Sequence, residues 1–230
     1  MILARFLRFA FRLLYHRLAW IYDIVAAAVS AGQWKNWVLS TVPLLPETGR
    51  ILEVGHGPGH LLEHLLRKGR RIAAVDLSPQ MGRRARRMLR AAGLEAPLAR
   101  ANALALPFPP GAFDAVVATF PAEYIAERAA WVSFARVLAP GGRVVVLLGA
   151  NPLGRGLLRS ASRLLFRLTR QEIKVPEDLI RVRFEAALRE TGLEVEFRQA
   201  EVDRSTVFLL LAKRDGSAER GSAEPSRFAI

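Results

Sequence analysis

Residues 51–59 most constrain what this chain can fold into, because an apolar segment of strand length stops abruptly at three glycines on alternate positions. These are Gly55, Gly57 and Gly59, and the segment after them has the apolar spacing of a helix. Glycine tolerates positive φ and lets a ligand approach the backbone, and a helix start presents unpaired N–H groups and a positive dipole end. The pattern predicts a strand, a tight turn and a helix that begins at a ligand.

A second short apolar segment, residues 71–76, ends in an acid, Asp76. Neighbouring parallel strands end at the same edge of a sheet, so Asp76 is expected beside the glycine turn. A carboxylate at this place suits the two hydroxyls of a ribose. The two segments together predict a site for a nucleoside cofactor.

Composition limits both the size of the fold and its partners. The chain has 230 residues, about half of them apolar, which is enough for one α/β domain with appendages. Its formal net charge of +13 attracts nucleic acid, anionic lipid heads or acidic metabolites without choosing among them. The chain lacks cysteine, which excludes disulfides, thiolate metal sites and thiol nucleophiles. We therefore predict no metal site and a cytoplasmic protein, soluble or peripheral on the inner face of the membrane.

Two apolar segments, residues 1–21 and 151–170, carry basic residues every three or four positions, which places them on one stripe of a helix. Such charges are too frequent for a membrane-spanning helix and too dispersed for a signal peptide. Two interpretations remain: helices lying on an anionic membrane surface, or helices packed on their own domain with the arginines in solvent. The arginines of the two stripes are Arg5, Arg8, Arg12, Arg155, Arg159, Arg163 and Arg167.

Aromatic residues Tyr22, Trp34 and Trp37 precede the first strand. They fit either packing against the sheet or a roof over the ligand pocket, and both interpretations stay open. The arginines of residues 83–90 are expected on a solvated helix face.

Strands and helices alternate along the chain, which predicts an α/β fold with a doubly wound, mostly parallel, seven-stranded sheet and helices on both faces. We expect an N-terminal helical cover at residues 1–45, a main domain at 46–214 with a helical insertion at 151–176, and a disordered tail at 215–230. The predicted strands are residues 51–54, 71–76, 96–101, 113–119, 143–148, 193–200 and 206–212.

Four motifs in order resemble those of class I S-adenosylmethionine-dependent methyltransferases of the small-molecule kind. The resemblance is to the ubiquinone/menaquinone-biosynthesis and phospholipid branch, and it implies a Rossmann-like fold. It covers residues 48–150 in motif detail and 20–212 in layout. The motifs are Glu53-Val54-Gly55-His56-Gly57-Pro58-Gly59, Val75-Asp76-Leu77-Ser78, Leu106-Pro107-Phe108 with Phe113-Asp114, and Ala139-Pro140-Gly141-Gly142.

The resemblance implies that S-adenosylmethionine binds at these motifs. Asp76 would bind both ribose hydroxyls, and Glu53 would organise the glycine loop. The other implied contacts are Gly55, Gly57, Gly59, Thr119 and Phe120 for the methionine moiety, and Ser78, Met81, Asn102 and Ala103 for the adenine.

Two residues depart from the family pattern. Asn102 stands where the family commonly has Asp, although an amide oxygen can still accept from the adenine amino group. His56 stands where a small residue is common, and we interpret it as a loop residue. A nicotinamide-dependent reductase is disfavoured, because its fingerprint is G-x-G-x-x-G rather than G-x-G-x-G.

The acceptor is only partly constrained. Glu123 and Tyr124 follow the fourth strand and are the nearest polar candidates for a catalytic role. Residues 119–122 read Thr-Phe-Pro-Ala, unlike the motif typical of base-amino methylation, so nucleic acid is disfavoured. We expect a small apolar, lipid or isoprenoid-type acceptor at a membrane surface. The alternatives are a non-catalytic membrane-surface protein of the same fold and an RNA methyltransferase.

Overall fold

The computed structural model of the chain describes residues 32–121, 123–152, 188 and 191–216. Its helices are α1 (Trp34–Leu39), α2 (His60–Arg67), α3 (Pro79–Ala91) and α4 (Arg128–Val137), with 3₁₀ turns at Val42–Leu44 and Glu123–Ala126. Its strands are β1 (Arg50–Val54), β2 (Arg71–Asp76), β3 (Leu98–Arg100), β4 (Phe113–Thr119), β5 (Leu138–Pro152), β6 (Leu193–Val202) and β7 (Ser205–Arg214).

The seven strands form one sheet in the order β3-β2-β1-β4-β5-β7-β6. Neighbours from β3 to β5 pair in parallel, whereas β7 is antiparallel to both β5 and β6. The strand order reverses at β1, which is the place where ligands bind in doubly wound folds. The predicted α/β fold, with a seven-stranded and mostly parallel sheet, is confirmed.

The central strands are apolar on both faces because helices cover both. Leu52 of β1 joins the core that contains Trp131 and Phe134 of α4. Its neighbour Ile51 points to the other face and joins the core built with Leu61 of α2. A parallel strand buried on both sides reads as a continuous apolar segment, as residues 51–54 do. The packing therefore fixes β1 and, with it, the position of the glycine turn.

The extent of β5 differs from the prediction. We predicted a turn at residues 139–142 followed by a strand at 143–148, but a single strand runs from Leu138 to Pro152. Leu138 pairs with Phe113 and Arg143 pairs with Ala115, so the four residues of the predicted turn form a bulge within the strand. The last pair with β4 joins Thr119 to Leu147, and beyond it β7 supplies the backbone partners within the described part of the chain.

The end of β5 therefore projects past the carboxyl edge of the parallel strands. Its pairing with β7 continues from Gly149–Phe208 to Pro152–Ser205, and β6 follows β7 to the same end. We call this extension of β5, β7 and β6 the projecting ribbon. It forms a wall beside the edge where β1, β2 and β4 end.

Several predictions fall on residues that the structure does not describe. The N-terminal arginine stripe, residues 153–176 of the predicted insertion and residues 217–230 of the predicted tail are among them. Asn151 and Pro152 belong to β5 instead. Of the helices that are described, none is both long and apolar enough to cross a membrane.

Candidate functional site

The glycine turn connects β1 to α2 and is hydrogen-bonded to the end of β2. The N–H groups of Gly55 and His56 both donate to the Val75 carbonyl oxygen, at 2.8 and 3.3 Å. Gly55, Gly57 and Gly59 have φ values of +75°, +53° and +96°, a region that other residues adopt only with strain. The turn therefore requires glycine at all three positions for its backbone conformation.

The three glycines have different surroundings. A Cβ built on Gly57 would meet no atom within 4 Å, whereas one on Gly55 would lie 3.3 Å from the Tyr124 hydroxyl oxygen. A Cβ on Gly59 would lie 3.2 Å from side-chain atoms of Ala85 and Met88 in α3. Gly59 is thus needed for the packing of two helices, while the Cβ position of Gly57 faces open space. The predicted contacts of these glycines with a methionine moiety remain predictions.

Asp76 ties the glycine turn to the start of α3. Its carboxylate is 4% exposed; Oδ2 accepts from the Gly57 N–H at 2.9 Å and Oδ1 accepts from the Ser78 N–H at 2.7 Å. A carboxylate oxygen has two lone pairs, so each oxygen can accept one further hydrogen bond. Asp76 can therefore bind a pair of hydroxyls while it holds the turn in place.

Glu53 lies inside the protein beneath the turn. It is 1% exposed, and its Oε2 atom has no hydrogen-bond partner in the part of the chain that the structure describes. Burial, and then the nearby charge of Asp76, raise the pKa of the Glu53 carboxyl to about 8. At neutral pH the Glu53 carboxyl group is therefore protonated and uncharged. A cation bound beside it would favour the loss of that proton.

Tyr124 lies beside the same group of residues. Its hydroxyl donates to the Val54 carbonyl oxygen at 3.2 Å. Burial raises its pKa, and the carboxyl groups of Asp76 and Glu53 raise it further. Tyr124 is therefore a hydrogen-bond donor at neutral pH and not a base. Glu123, the other predicted catalytic candidate, begins the neighbouring 3₁₀ turn, and its side chain lies outside the description.

His56 is buried within the turn at 4% exposure. Its Nδ1 lies 2.7 Å from the Gly57 carbonyl oxygen, which can only accept, so Nδ1 carries the proton. Burial lowers the pKa of the ring, against an opposing effect of Asp76. These contacts support the interpretation of His56 as a loop residue.

The residues predicted around the adenine differ in exposure: Asn102 is exposed, whereas Ser78, Met81 and Ala103 are buried. Ser78 caps α3 by accepting from the Met81 N–H at 3.3 Å, and Met81 is fully buried. Asn102 is exposed, and its Oδ1 already accepts from the Leu104 N–H at 3.0 Å, which leaves one lone pair for a ligand. Ala103 is 7% exposed behind it.

Sequence reasoning did not select Leu77, which is 55% exposed directly after Asp76. An apolar side chain in solvent at the carboxyl edge of β2 offers a surface for a flat base. The position of Leu77 directly after Asp76 could be read from the sequence. The exposure of its side chain could not, because that depends on the fold.

Thr119 ends β4, and Phe120 turns out of the strand with φ +49°. The Phe120 N–H donates to the Leu147 carbonyl oxygen at 2.8 Å, and its ring stacks on Trp34 with centroids 4.0 Å apart. Trp37 is fully buried, so core packing is the correct interpretation for that residue. Trp34 is half-buried at the carboxyl edge.

Comparison with known proteins identifies relatives of this chain. Residues 51–142 match the family model of a methyltransferase domain. The chain is 41% identical over 131 residues to the demethylmenaquinone methyltransferase of Thermus thermophilus. The matched region covers 55% of this chain and 60% of that protein. It is 29% identical over 147 residues to the ubiquinone/menaquinone biosynthesis C-methyltransferase of Shewanella piezotolerans, covering 60% and 58%.

A solved structure from Methanococcus maripaludis, provisionally described as an S-adenosyl-L-methionine-dependent methyltransferase, superposes with a TM-score of 0.65. The two are 19% identical, and the match covers 90% of this chain and 96% of the other. This likeness shows a shared fold. The chain spans no more than 60% of the length of the two relatives compared above.

Proposed function

We propose that this chain is a class I S-adenosylmethionine-dependent methyltransferase and that it transfers the methyl group of S-adenosylmethionine to a small apolar acceptor of the lipid or isoprenoid kind. The observation that carries the proposal is the open space at the Cβ position of Gly57, beside the buried carboxylate of Asp76. This pair lies where the strand order reverses, at the carboxyl edge of the sheet.

The residues present fit S-adenosylmethionine. The Glu53 Oε2 atom is buried without a partner in the described chain, and Asp76 keeps lone pairs on both oxygens. Two acidic side chains at the turn, in a protein whose net charge is +13, suit a cationic ligand that carries a diol. The chemistry of the site therefore agrees with the cofactor of the family.

Each part of the site has a proposed task. Asp76 holds the ribose hydroxyls, the backbone at Gly57 receives the methionine part, and Leu77 contacts the base. When bound, S-adenosylmethionine supplies a methyl group that is already electrophilic. The protein then has to hold the acceptor in line with that methyl group and exclude water.

The names of the relatives favour a quinone-type ring as the acceptor. For a ring carbon, an electron pair of the ring would form the new carbon–carbon bond, and the bond from sulfur to the methyl group would break with its electrons going to sulfur. The ring carbon would then lose its proton to water. Tyr124 cannot accept that proton, because its hydroxyl is a donor held by the Val54 carbonyl. An electron-rich ring with its own hydroxyl groups is therefore the best acceptor.

The test is methyl transfer from labelled S-adenosylmethionine into a total lipid and quinone extract, with product identification. Cofactor binding is measured in parallel by calorimetry, with Asp76→Asn as the control that weakens the ribose contact. Label in a quinone-type lipid supports the proposal. Cofactor binding without transfer supports the non-catalytic alternative, and transfer of label to total RNA in a parallel assay supports the RNA methyltransferase.

We further propose that the protein acts from the cytoplasmic side at an anionic membrane, through the arginine stripes of residues 1–21 and 151–170. The spacing of the arginines in the sequence supports this proposal. The arginines themselves lie outside the described residues. Liposome co-sedimentation tests it. We expect binding to anionic vesicles that weakens with salt and with Arg→Ser changes at Arg5, Arg8 and Arg12. Equal binding to neutral and anionic vesicles would contradict it.

A further inference from the structure

We propose that Arg100 is a positioning residue for the base of the cofactor, because its guanidinium holds the main chain of Leu77. This role rests on the proposed function, in which Leu77 contacts the base, and it adds a residue that acts through Leu77. Arg100 is the last residue of β3 and is exposed. Its place in the sequence does not distinguish it from the other arginines.

Leu77 is an exposed apolar residue between two buried ones. It is 55% exposed, whereas Asp76 is 4% and Ser78 is 1% exposed. The core therefore holds the residues on either side and leaves most of Leu77 outside. The rotamers open to a side chain depend on its backbone angles, so the direction in which Leu77 points is set by the two peptide groups around it.

The peptide group between Leu77 and Ser78 is held at both ends. Its N–H donates to Asp76 Oδ1 at 2.7 Å, and its carbonyl oxygen accepts from Arg100 Nε at 3.0 Å. Because a peptide group is planar, the two contacts together fix its orientation. Asp76 thus ties Leu77 to the proposed ribose contact, and Arg100 supplies the second point that keeps the peptide group from rotating.

Arg100 has both the place and the chemistry for this contact. It lies opposite Asp76 in the parallel pairing of β2 with β3, so its side chain begins beside the Leu77 loop. The Ala101 N–H donates to the Asp76 carbonyl oxygen at 3.3 Å, which holds the end of β3 against that loop. A guanidinium is always charged and has its N–H donors in a fixed plane, so its hydrogen bond is strong and directional. Loss of Arg100 would therefore free one end of the peptide group while Asp76 keeps its own contacts.

Arg86 of α3 makes the same kind of contact further from the ligand edge, and it provides a matched control. Its Nη2 donates to the Leu98 carbonyl oxygen at 3.1 Å, and Arg86 is exposed like Arg100. Leu98 pairs with Ala74, two residues before the level of Asp76, so this contact lies further from the carboxyl edge. Removing Arg86 costs one charge and one similar hydrogen bond but leaves the main chain of Leu77 held.

The test is a double-mutant cycle on the binding of S-adenosylhomocysteine, which methyl transfer leaves behind, measured by calorimetry. The variants are Arg100→Met, Leu77→Ala and the two combined, with Arg86→Met alone and with Leu77→Ala as controls. We expect Arg100→Met to weaken binding about 3-fold and Leu77→Ala about 5- to 10-fold. The combined variant should bind about as weakly as Leu77→Ala alone, because Arg100 acts through the Leu77 side chain. Arg86→Met should lower the melting temperature about as much as Arg100→Met and leave the affinity nearly unchanged.

Arg100→Lys keeps a charged donor and should recover part of the affinity; lysine as weak as methionine would count against the role of Arg100. A combined loss equal to the product of the two single losses, or an equal loss in Arg86→Met, would overturn it. If such a protein still transfers methyl groups, the proposed function stands without Arg100. If the losses are not additive but no acceptor is methylated, the role of Arg100 is supported and the proposed transfer fails. A wild type that does not bind S-adenosylhomocysteine would contradict both.

Discussion

Replacing Glu53 by Gln is expected to change how the stability of this protein depends on pH. Glu53 is 1% exposed, and burial followed by the charge of Asp76 raises its pKa from the ordinary 4.5 to about 8. Between these two values the folded protein keeps a proton that the unfolded chain releases. Rising pH therefore favours the unfolded chain across this window, and Glu53 lowers stability progressively until about pH 8.

The size of the effect follows from the shift. Each pH unit over which the folded protein binds one proton more than the unfolded chain lowers the free energy of unfolding by about 1.4 kcal/mol. Glu53 alone should therefore reduce the free energy of unfolding by about 3 kcal/mol between about pH 6 and about pH 9. Glutamine has the same shape and no proton to release. The stability advantage of Glu53→Gln over the wild type should therefore grow by about 3 kcal/mol over that range.

The measurement is urea unfolding of wild type and variant at several pH values, since the difference between them cancels the titration of other groups. Glu47→Gln is the control, because the Glu47 side chain is 92% exposed and the change makes the same replacement of a carboxyl group at the surface. The reasoning is refuted if the difference between Glu53→Gln and wild type stays constant from about pH 6 to about pH 9.

Three further predictions concern the glycine turn and its acids. Gly59→Ala should destabilise the protein by about 2–4 kcal/mol through backbone strain and a clash with α3. Gly57→Ala should destabilise it by only about 1–2 kcal/mol, because no atom lies near the new methyl group, but should lower cofactor affinity. Equal melting temperatures of the two variants would contradict this prediction. Asp76→Asn should lose one backbone hydrogen bond, about 1–3 kcal/mol, and weaken cofactor binding at least about 10-fold by calorimetry; unchanged affinity would argue against the ribose contact. Binding of the cationic cofactor should release a proton from Glu53, so affinity rises toward about pH 8; calorimetry in two buffers measures the proton, and Glu53→Gln should abolish it.

The part of the fold that sequence predicted best is the part decided by local pattern. β4 agrees with its predicted bounds, Phe113–Thr119, and β2 with residues 71–76, because continuous apolar segments between glycines and acids can form little else. The glycine turn and Asp76 were likewise predicted together, since strand order brings their ends to one edge.

The features that sequence reasoning missed depend on contacts between distant residues. Gly149 to Asn151 show no strand pattern, and only pairing with β7 makes them part of β5. The proton on Glu53 depends on burial and on Asp76, 23 positions away in the chain. Phe120 leaves its strand at positive φ, where Trp34 contacts its ring and the Leu147 carbonyl oxygen accepts from its N–H.

The reversed direction of β7 has a practical consequence for attaching this protein to a surface. Because β7 runs against its neighbours, the described chain leaves the sheet at the edge opposite the glycine turn, and Gly216 lies beside Gly141 in the β5 bulge, 3.7 Å from it at the Cβ position. A tether or reporter joined after residue 216 would point away from the ligands. Immobilised in this way, every molecule would present its binding edge to the solution.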